Sequence, residues 1–169
     1  MPFRLAPLAL FALLAATGCD SSGPTRVLDE LDGRYTITEL VFDPVTASLP
    51  DADVAARLDV AQSSLEIFGG DGTVQLITRR NEQRTLTTLD ATATRGRITM
   101  TAQAGDNEAE LRTLFLPRQF TLTYDPASPR TLSGDIQQTD IDLQAFDPEL
   151  YQDQRAVRGT LRIRLSRTS

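Results

Sequence analysis

Val157-Arg158-Gly159-Thr160-Leu161-Arg162-Ile163-Arg164-Leu165 alternates apolar and polar side chains without a break. A period of two puts Val157, Leu161, Ile163 and Leu165 on one face of a β-strand, and Arg158, Thr160, Arg162 and Arg164 on the other. A strand with one dry and one wet face belongs to an antiparallel sheet that covers a core on one side only.

The same pattern recurs toward the N-terminus. The stretch 132–143 is strand-like, with Gly134 and Ile136 in one phase and Ile141 and Leu143 in the other. The stretches 111–116 and 120–124 read as strands divided by Pro117, which a ladder accepts only at a bulge or an edge. Gly105-Asp106-Asn107-Glu108 and Asp125-Pro126-Ala127-Ser128-Pro129 read as turns. Arg95-Gly96 joins 86–93 to a strand carrying Ile98, Met100 and Ala102. Gly69-Gly70-Asp71-Gly72 stands between two alternating runs, Leu65/Ile67 and Val74/Leu76. That is a hairpin signal rather than a phosphate loop, because the β-branched run after the glycines is no helix N-terminus. In the first strand Tyr35 and Ile37 share a face while Leu40 and Phe42 follow in the opposite phase, which predicts a bulge near Glu39-Leu40. Val54, Leu58 and Ala61 allow one short helix near 51–61, with Asp51 or Asp53 as its cap. An all-β fold follows: an antiparallel up-and-down barrel of about eight strands, with a β-sandwich as the alternative.

The N-terminus has a different composition. Residues 3–16 are apolar apart from Arg4, and Gly18 leads into Cys19, the only cysteine. A basic start, a short apolar core and small residues are the parts of a secretory signal. The core is shorter than the ~20 residues that span a bilayer. Leu13-Leu14-Ala15-Ala16-Thr17-Gly18-Cys19-Asp20 resembles the lipobox of bacterial lipoproteins. The resemblance implies a signal peptide over 1–18, lipid on Cys19 as the membrane partner, a flexible tether over 19–30 and a folded domain over 31–169. More than one acyl chain is needed for stable anchoring, and lipoproteins of this kind carry a diacylglyceryl thioether and usually an N-acyl chain as well. The expected location is the bacterial cell envelope, with the outer membrane favoured over the inner.

Composition removes whole classes of chemistry. The chain has no His and no Lys, and its 17 basic residues are all Arg. Without His, neither a Ser-His-Asp nor a Cys-His arrangement can be built. Without His or a free thiol the usual zinc sites are excluded, and without Lys so are Schiff bases and Walker-type loops. A formal charge of −6, one unit more negative once Arg4 leaves with the signal, disfavours nucleic acid. Carboxylates gather at Asp140, Asp142, Asp147 and Glu149, but Ile141 and Leu143 mark the opposite face as the buried one. The four therefore read as a solvated face, and neither they nor Asp51-Ala52-Asp53 match a calcium loop. The Arg row at 158–164 reads as pairing with acids on a neighbouring strand, Asp140 and Asp142 being the candidates. No catalytic residue, metal ligand or cofactor is expected.

Leu31-Asp32-Gly33-Arg34-Tyr35 resembles the opening of lipocalin-like domains, whose first strand begins Gly-x-Trp, with Tyr35 standing where the Trp would be. In that family an Arg of the last strand packs across the aromatic, a place the resemblance gives to Arg162 or Arg164. It implies a small lipid-anchored barrel. Ala91, Ala93 and Ala102 at inward positions lean toward an internal cavity. The expected function is non-enzymatic binding of a small apolar or amphipathic ligand by a monomer. The alternative is a module docking on an envelope protein through loops 42–53 and 144–156, with Phe146 and Tyr151 in its exposed patch.

Overall fold

The computed structural model describes residues 24–103 and 105–168; the signal peptide expected over 1–18, Cys19 and the part of the expected tether up to residue 23 lie outside them. An antiparallel barrel of eight strands closes on itself. The strands are β1 (Gly33–Pro44), β3 (Ser64–Phe68), β4 (Thr73–Arg80), β5 (Gln83–Thr94), β6 (Arg97–Ala102), β7 (Gln119–Thr123), β8 (Thr131–Ile141) and β9 (Val157–Arg167). A two-residue strand β2 (Ala52–Asp53) hydrogen-bonds to the far half of β1. Closure comes from β1 pairing with β9, from Tyr35–Arg167 to Pro44–Gly159, which leaves the single closed sheet that a sandwich would not have.

The strand faces follow the sequence period. Val157, Gly159, Leu161, Ile163 and Leu165 of β9 are buried, and Arg158 and Arg164 are exposed. On β1 the register shifts between Ile37 and Glu39, so Tyr35 and Ile37 point inward before the bulge, and Leu40 and Phe42 after it. The phase change in β8 is likewise a register shift, between Gln138 and Ile141, with Asp140 in the left-handed region at φ 62°. Gly159 has a packing reason. A Cβ there would lie 2.3 Å from the Asp43 carbonyl oxygen and 2.5 Å from Phe42 Cζ, so only glycine lets that ring lie on the β9 backbone.

Three expectations need correction. Residues 24–30, assigned to the tether, belong to the helix α1 (Pro24–Leu31), whose Val27, Leu28 and Leu31 are buried in the barrel core. The strand expected over 111–116, and the turn before it, are the helix α2 (Asp106–Thr113) and its C-terminal loop. Leu111 and Leu114, three apart, share a helical face and would point to opposite faces of a strand, and the Glu108–Arg112 ion pair at 2.8 Å adds the i,i+4 spacing of a helix. The helix expected near 51–61 is a single 3-10 turn, Ala55–Arg57, with Val54 at its N-cap, and the Asp53 Oδ1 just ahead of it accepts from the Ala56 N–H at 3.0 Å.

The two ends of the barrel are built differently. At one end the connections are short: Gly69–Gly72, Arg95–Gly96 and 124–130. The helix α1 lies at this end, packed on Gly69–Asp71, β3 and β5. At the other end lie the long connections: 45–63, 103–118 with α2, and 142–156 with the short helix α3 (Leu143–Phe146).

Candidate binding cleft at the open end

The long connections enclose a cleft of about 910 Å³. Its apolar wall is Val54, Phe115, Leu116, Pro117, Ile141 and Phe146, and its polar wall includes Arg57, Arg80, Arg112, Arg118 and Gln138. The volume is that of a small-molecule site, and the lining carries more charge than such sites usually do. The cleft exists because β7 is short. Among the described residues β7 and β8 share only the pair Thr123–Ser133, whereas β8 runs on along β9 to Ile141. Past that pair the β7 side of β8 faces the segment after α2, and the cleft fills the gap.

A row of aromatic rings passes one side of the cleft, and Phe115 and Phe146 of that row line it. Phe42 and Phe115 meet edge-on with centroids 5.6 Å apart, Phe115 and Phe146 lie 5.3 Å apart, and Phe146 and Tyr151 lie 6.4 Å apart. The Arg57 guanidinium sits over the Phe146 ring at 3.7 Å from its centroid and pairs with Asp147 at 3.3 Å. Tyr151, expected in an exposed patch, is buried. Its hydroxyl lies within hydrogen-bonding reach of the carbonyls of Asp51 (3.0 Å) and Pro50 (3.2 Å), tying 142–156 to 45–63. Burial pushes the Tyr151 hydroxyl pKa up, and the nearby carboxylates of Asp147 and Asp51 push the same way against Arg57.

Phe115 is held in the left-handed region at φ 60°. The loop after α2 is a Schellman motif: the Leu116 N–H donates to the Leu111 carbonyl at 2.9 Å, and the Phe115 N–H to that of Arg112 at 3.0 Å. Glycine is the usual residue at this position, and a side chain there costs roughly 1–2 kcal/mol. The barrel tolerates the strain because the conformation places the Phe115 ring between Phe42 and Phe146. Strained backbone of this kind concentrates at ligand sites. Sequence reading missed Phe115 because it took 111–116 as a strand; the Leu111/Leu114 spacing beside Glu108 and Arg112 was the available signal.

Of the carboxylates singled out in the sequence, Asp140 and Asp142 both line the cleft, exposed at its rim, and Asp147 and Glu149 do not line it. Asp142 caps α3, its Oδ1 accepting from the Ala145 N–H at 2.8 Å. Asp147 accepts from the N–H groups of Glu149 (3.1 Å) and Leu150 (3.0 Å). Among the described residues no group of three or more His, Cys, Asp or Glu side chains could hold a metal ion. The Arg row of β9 does pair with acids, but with those of β1 and its following loop rather than Asp140 and Asp142. Arg164 meets Glu39 at 2.7 Å, and Arg162 meets Asp51 at 3.0 Å, Glu39 at 3.6 Å and Asp43 at 3.9 Å. The cation over Tyr35 is Arg167, 5.9 Å from the ring centroid, and neither Arg162 nor Arg164. Ala91, Ala93 and Ala102 are buried in the core, and none of them lines the cleft.

No family model, curated protein or solved structure matches the chain.

Proposed function

We propose that this chain is a lipid-anchored lipoprotein of the bacterial cell envelope, whose lipocalin-like barrel binds a small apolar or amphipathic molecule without acting on it. The observation that carries the reading is the open-end cleft, with strained Phe115 placing its ring between two other aromatics. Supporting it, Gly33 and Tyr35 open the first strand and Arg167 of the last strand packs over both. A Cβ at Gly33 would lie 3.0 Å from Arg167 Nε. The cleft lies at the end of the barrel opposite α1, so a tether ahead of α1 leaves it facing away from the anchoring surface.

Two measurements test this. Cys19→Ser should release the protein from membranes or leave its precursor uncut; wild-type fractionation and migration would remove the anchor from the reading. A neutral solvatochromic dye such as Nile red should bind the full-length protein and lose that binding in Phe115→Asp. Undiminished binding in that variant would remove the cleft from it.

The docking alternative retains one specific support. Val45 and Leu150, in the two loops nominated for it, are 75% and 55% exposed. Substituting both with Ser should leave dye binding intact and abolish capture of an envelope partner.

A further inference from the structure

Two polar groups in the cleft wall lack partners. Arg80 Nε and Gln138 Nε2 are shielded from solvent and have no acceptor among the described residues. Both residues line the cleft, and both atoms are donors. The rest of the Arg80 guanidinium is held in place: one terminal nitrogen lies 2.6 Å from Thr113 Oγ1 and 3.3 Å from Glu110 Oε1. Arg118, also in the lining, is exposed and enters no ion pair among the described residues. The other lining arginines are matched, Arg57 by Asp147 and Arg112 by Glu108.

We infer that the cleft takes a single-chain amphiphile whose polar end presents anionic oxygen, with its chain over Phe115, Leu116, Ile141 and Phe146. This rests on the binding reading above and names the chemistry of the ligand. Carboxylates stand against it: Asp140, Asp142 and Glu108 also line the cleft. Magnitude decides between them. Glu108 is already paired, Asp142 already caps α3, and both Asp140 and Asp142 are exposed at the rim, where solvent screens a charge to ~0–1 kcal/mol. A buried donor left without an acceptor costs about 1–3 kcal/mol, and an ionised acceptor gives the stronger hydrogen bond. Oxygen acceptors on the ligand satisfy Arg80 Nε and Gln138 Nε2, with Arg118 as the countercharge at the mouth. A ligand ending in an ammonium group satisfies neither donor.

The test is displacement of Nile red from the full-length protein by dodecanoate, dodecyl phosphate, dodecanol and dodecylammonium, with acetate and inorganic phosphate as heads without chains. Dodecanoate or dodecyl phosphate should displace the dye at about tenfold lower concentration than dodecylammonium, a difference of ~1.4 kcal/mol. Whichever of the two is better identifies the head as carboxylate or phosphate. Gln138→Leu, which removes one of the two buried donors, should remove most of the preference, and Arg118→Gln, an exposed charge screened as the rim carboxylates are, should lower it by at most a few-fold. Arg95→Gln, on the opposite end of the barrel, should leave it unchanged. If dodecanol and dodecylammonium displace the dye as well as dodecanoate, the cleft binds apolar chains and the anionic head is wrong. If acetate or inorganic phosphate alone displaces it equally, the amphiphile is wrong. If the dye does not bind at all, the binding reading falls with this one.

Discussion

The two ends of this barrel solve opposite problems with the same strands. At the closed end α1 packs on the Gly69–Asp71 turn, β3 and β5, and leaves a small pocket of only about 270 Å³ beside Gly69–Gly72. Leu31 is fully buried, and the Tyr35 hydroxyl reaches the Leu31 carbonyl at 3.0 Å and that of Pro129 at 3.1 Å. Gly69 lets α1 approach so closely that a Cβ would lie 2.6 Å from Asp29 Cα. The open end keeps space. Leu111 of α2 and Leu143 of α3 are buried in the core, yet Phe115 and Asp140 hold left-handed backbone, and Arg80 and Gln138 leave buried donors unpaired. Close packing and satisfied polar groups mark a region kept for stability, and strain with unmet hydrogen bonds marks one kept for something else. The contrast locates the candidate site without any catalytic motif.

The largest expected effect lies at the closed end. Leu31→Ala should cost about 2–5 kcal/mol in urea unfolding, with the slope against denaturant unchanged, because a fully buried side chain leaves a cavity under α1. A loss under about 1 kcal/mol would mean that α1 is an accessory and that the closed end is held by the strands alone. Phe115→Gly comes next. Removing a buried Phe costs roughly 3–5 kcal/mol, while glycine relieves roughly 1–2 kcal/mol of left-handed strain, so a net loss near 2 kcal/mol is expected. Dye binding should fall far more than that stability loss explains, since the ring is a wall of the cleft. A variant that is both more stable and still binding would show that the strain serves no site.

Arg162 sits between the two ends on the outer surface, bridging β9 to Glu39, Asp43 and Asp51. Its side chain is 38% exposed, so Arg162→Ala should cost about 1 kcal/mol or less, and less still in high salt. A salt-independent loss of several kcal/mol would mean that the link to Asp51 holds the 45–63 loop in place.

How far the sequence reading carried follows the same division. The barrel strands were legible because each has a wet and a dry face. Even the phase changes in β1 and β8 could be read as bulges, since a two-residue period cannot slip without inserting a residue. The Arg partners were misassigned for a topological reason. β9 runs antiparallel to β1, so the start of β1 meets the end of β9, and Tyr35 stands opposite Arg167 while Arg164 stands opposite Glu39. Asp140 lies in the bulge between the Gln138–Gly159 and Ile141–Val157 pairs and Asp142 just past it, and neither forms an ion pair among the described residues. The helices were harder to read. α1 is only two turns long behind a Gly-Pro start, and 111–116 offers apolar residues that fit part of a strand pattern as well as a helix until Glu108 and Arg112 are weighed. The cleft was illegible altogether, because it arises from the shortness of β7 rather than from any residue pattern.

The smallest effect is the pH dependence, and it compares the ends directly through one tyrosine at each. Burial raises the pKa of Tyr35 above the ordinary 10.0, with Asp32 adding and Arg167 opposing; burial raises that of Tyr151 as well. Up to about pH 9 both hydroxyls are neutral in the folded and the unfolded chain, so neither contributes appreciable slope. Above it the unfolded chain releases protons that the folded one retains, and stability falls until the folded pKa is passed. The chain has no His and no Lys, so the melting temperature should be nearly flat from pH 6 to 9 and then decline. At pH 10 each tyrosine accounts for up to about 0.4 kcal/mol of that decline. Tyr35→Phe and Tyr151→Phe should each flatten the alkaline limb, whatever they cost at neutral pH through their lost hydrogen bonds. If Tyr151→Phe leaves the limb unchanged while Tyr35→Phe flattens it, water reaches the Tyr151 hydroxyl from the cleft, and the open end is wetter beneath its aromatic row than the buried ring implies.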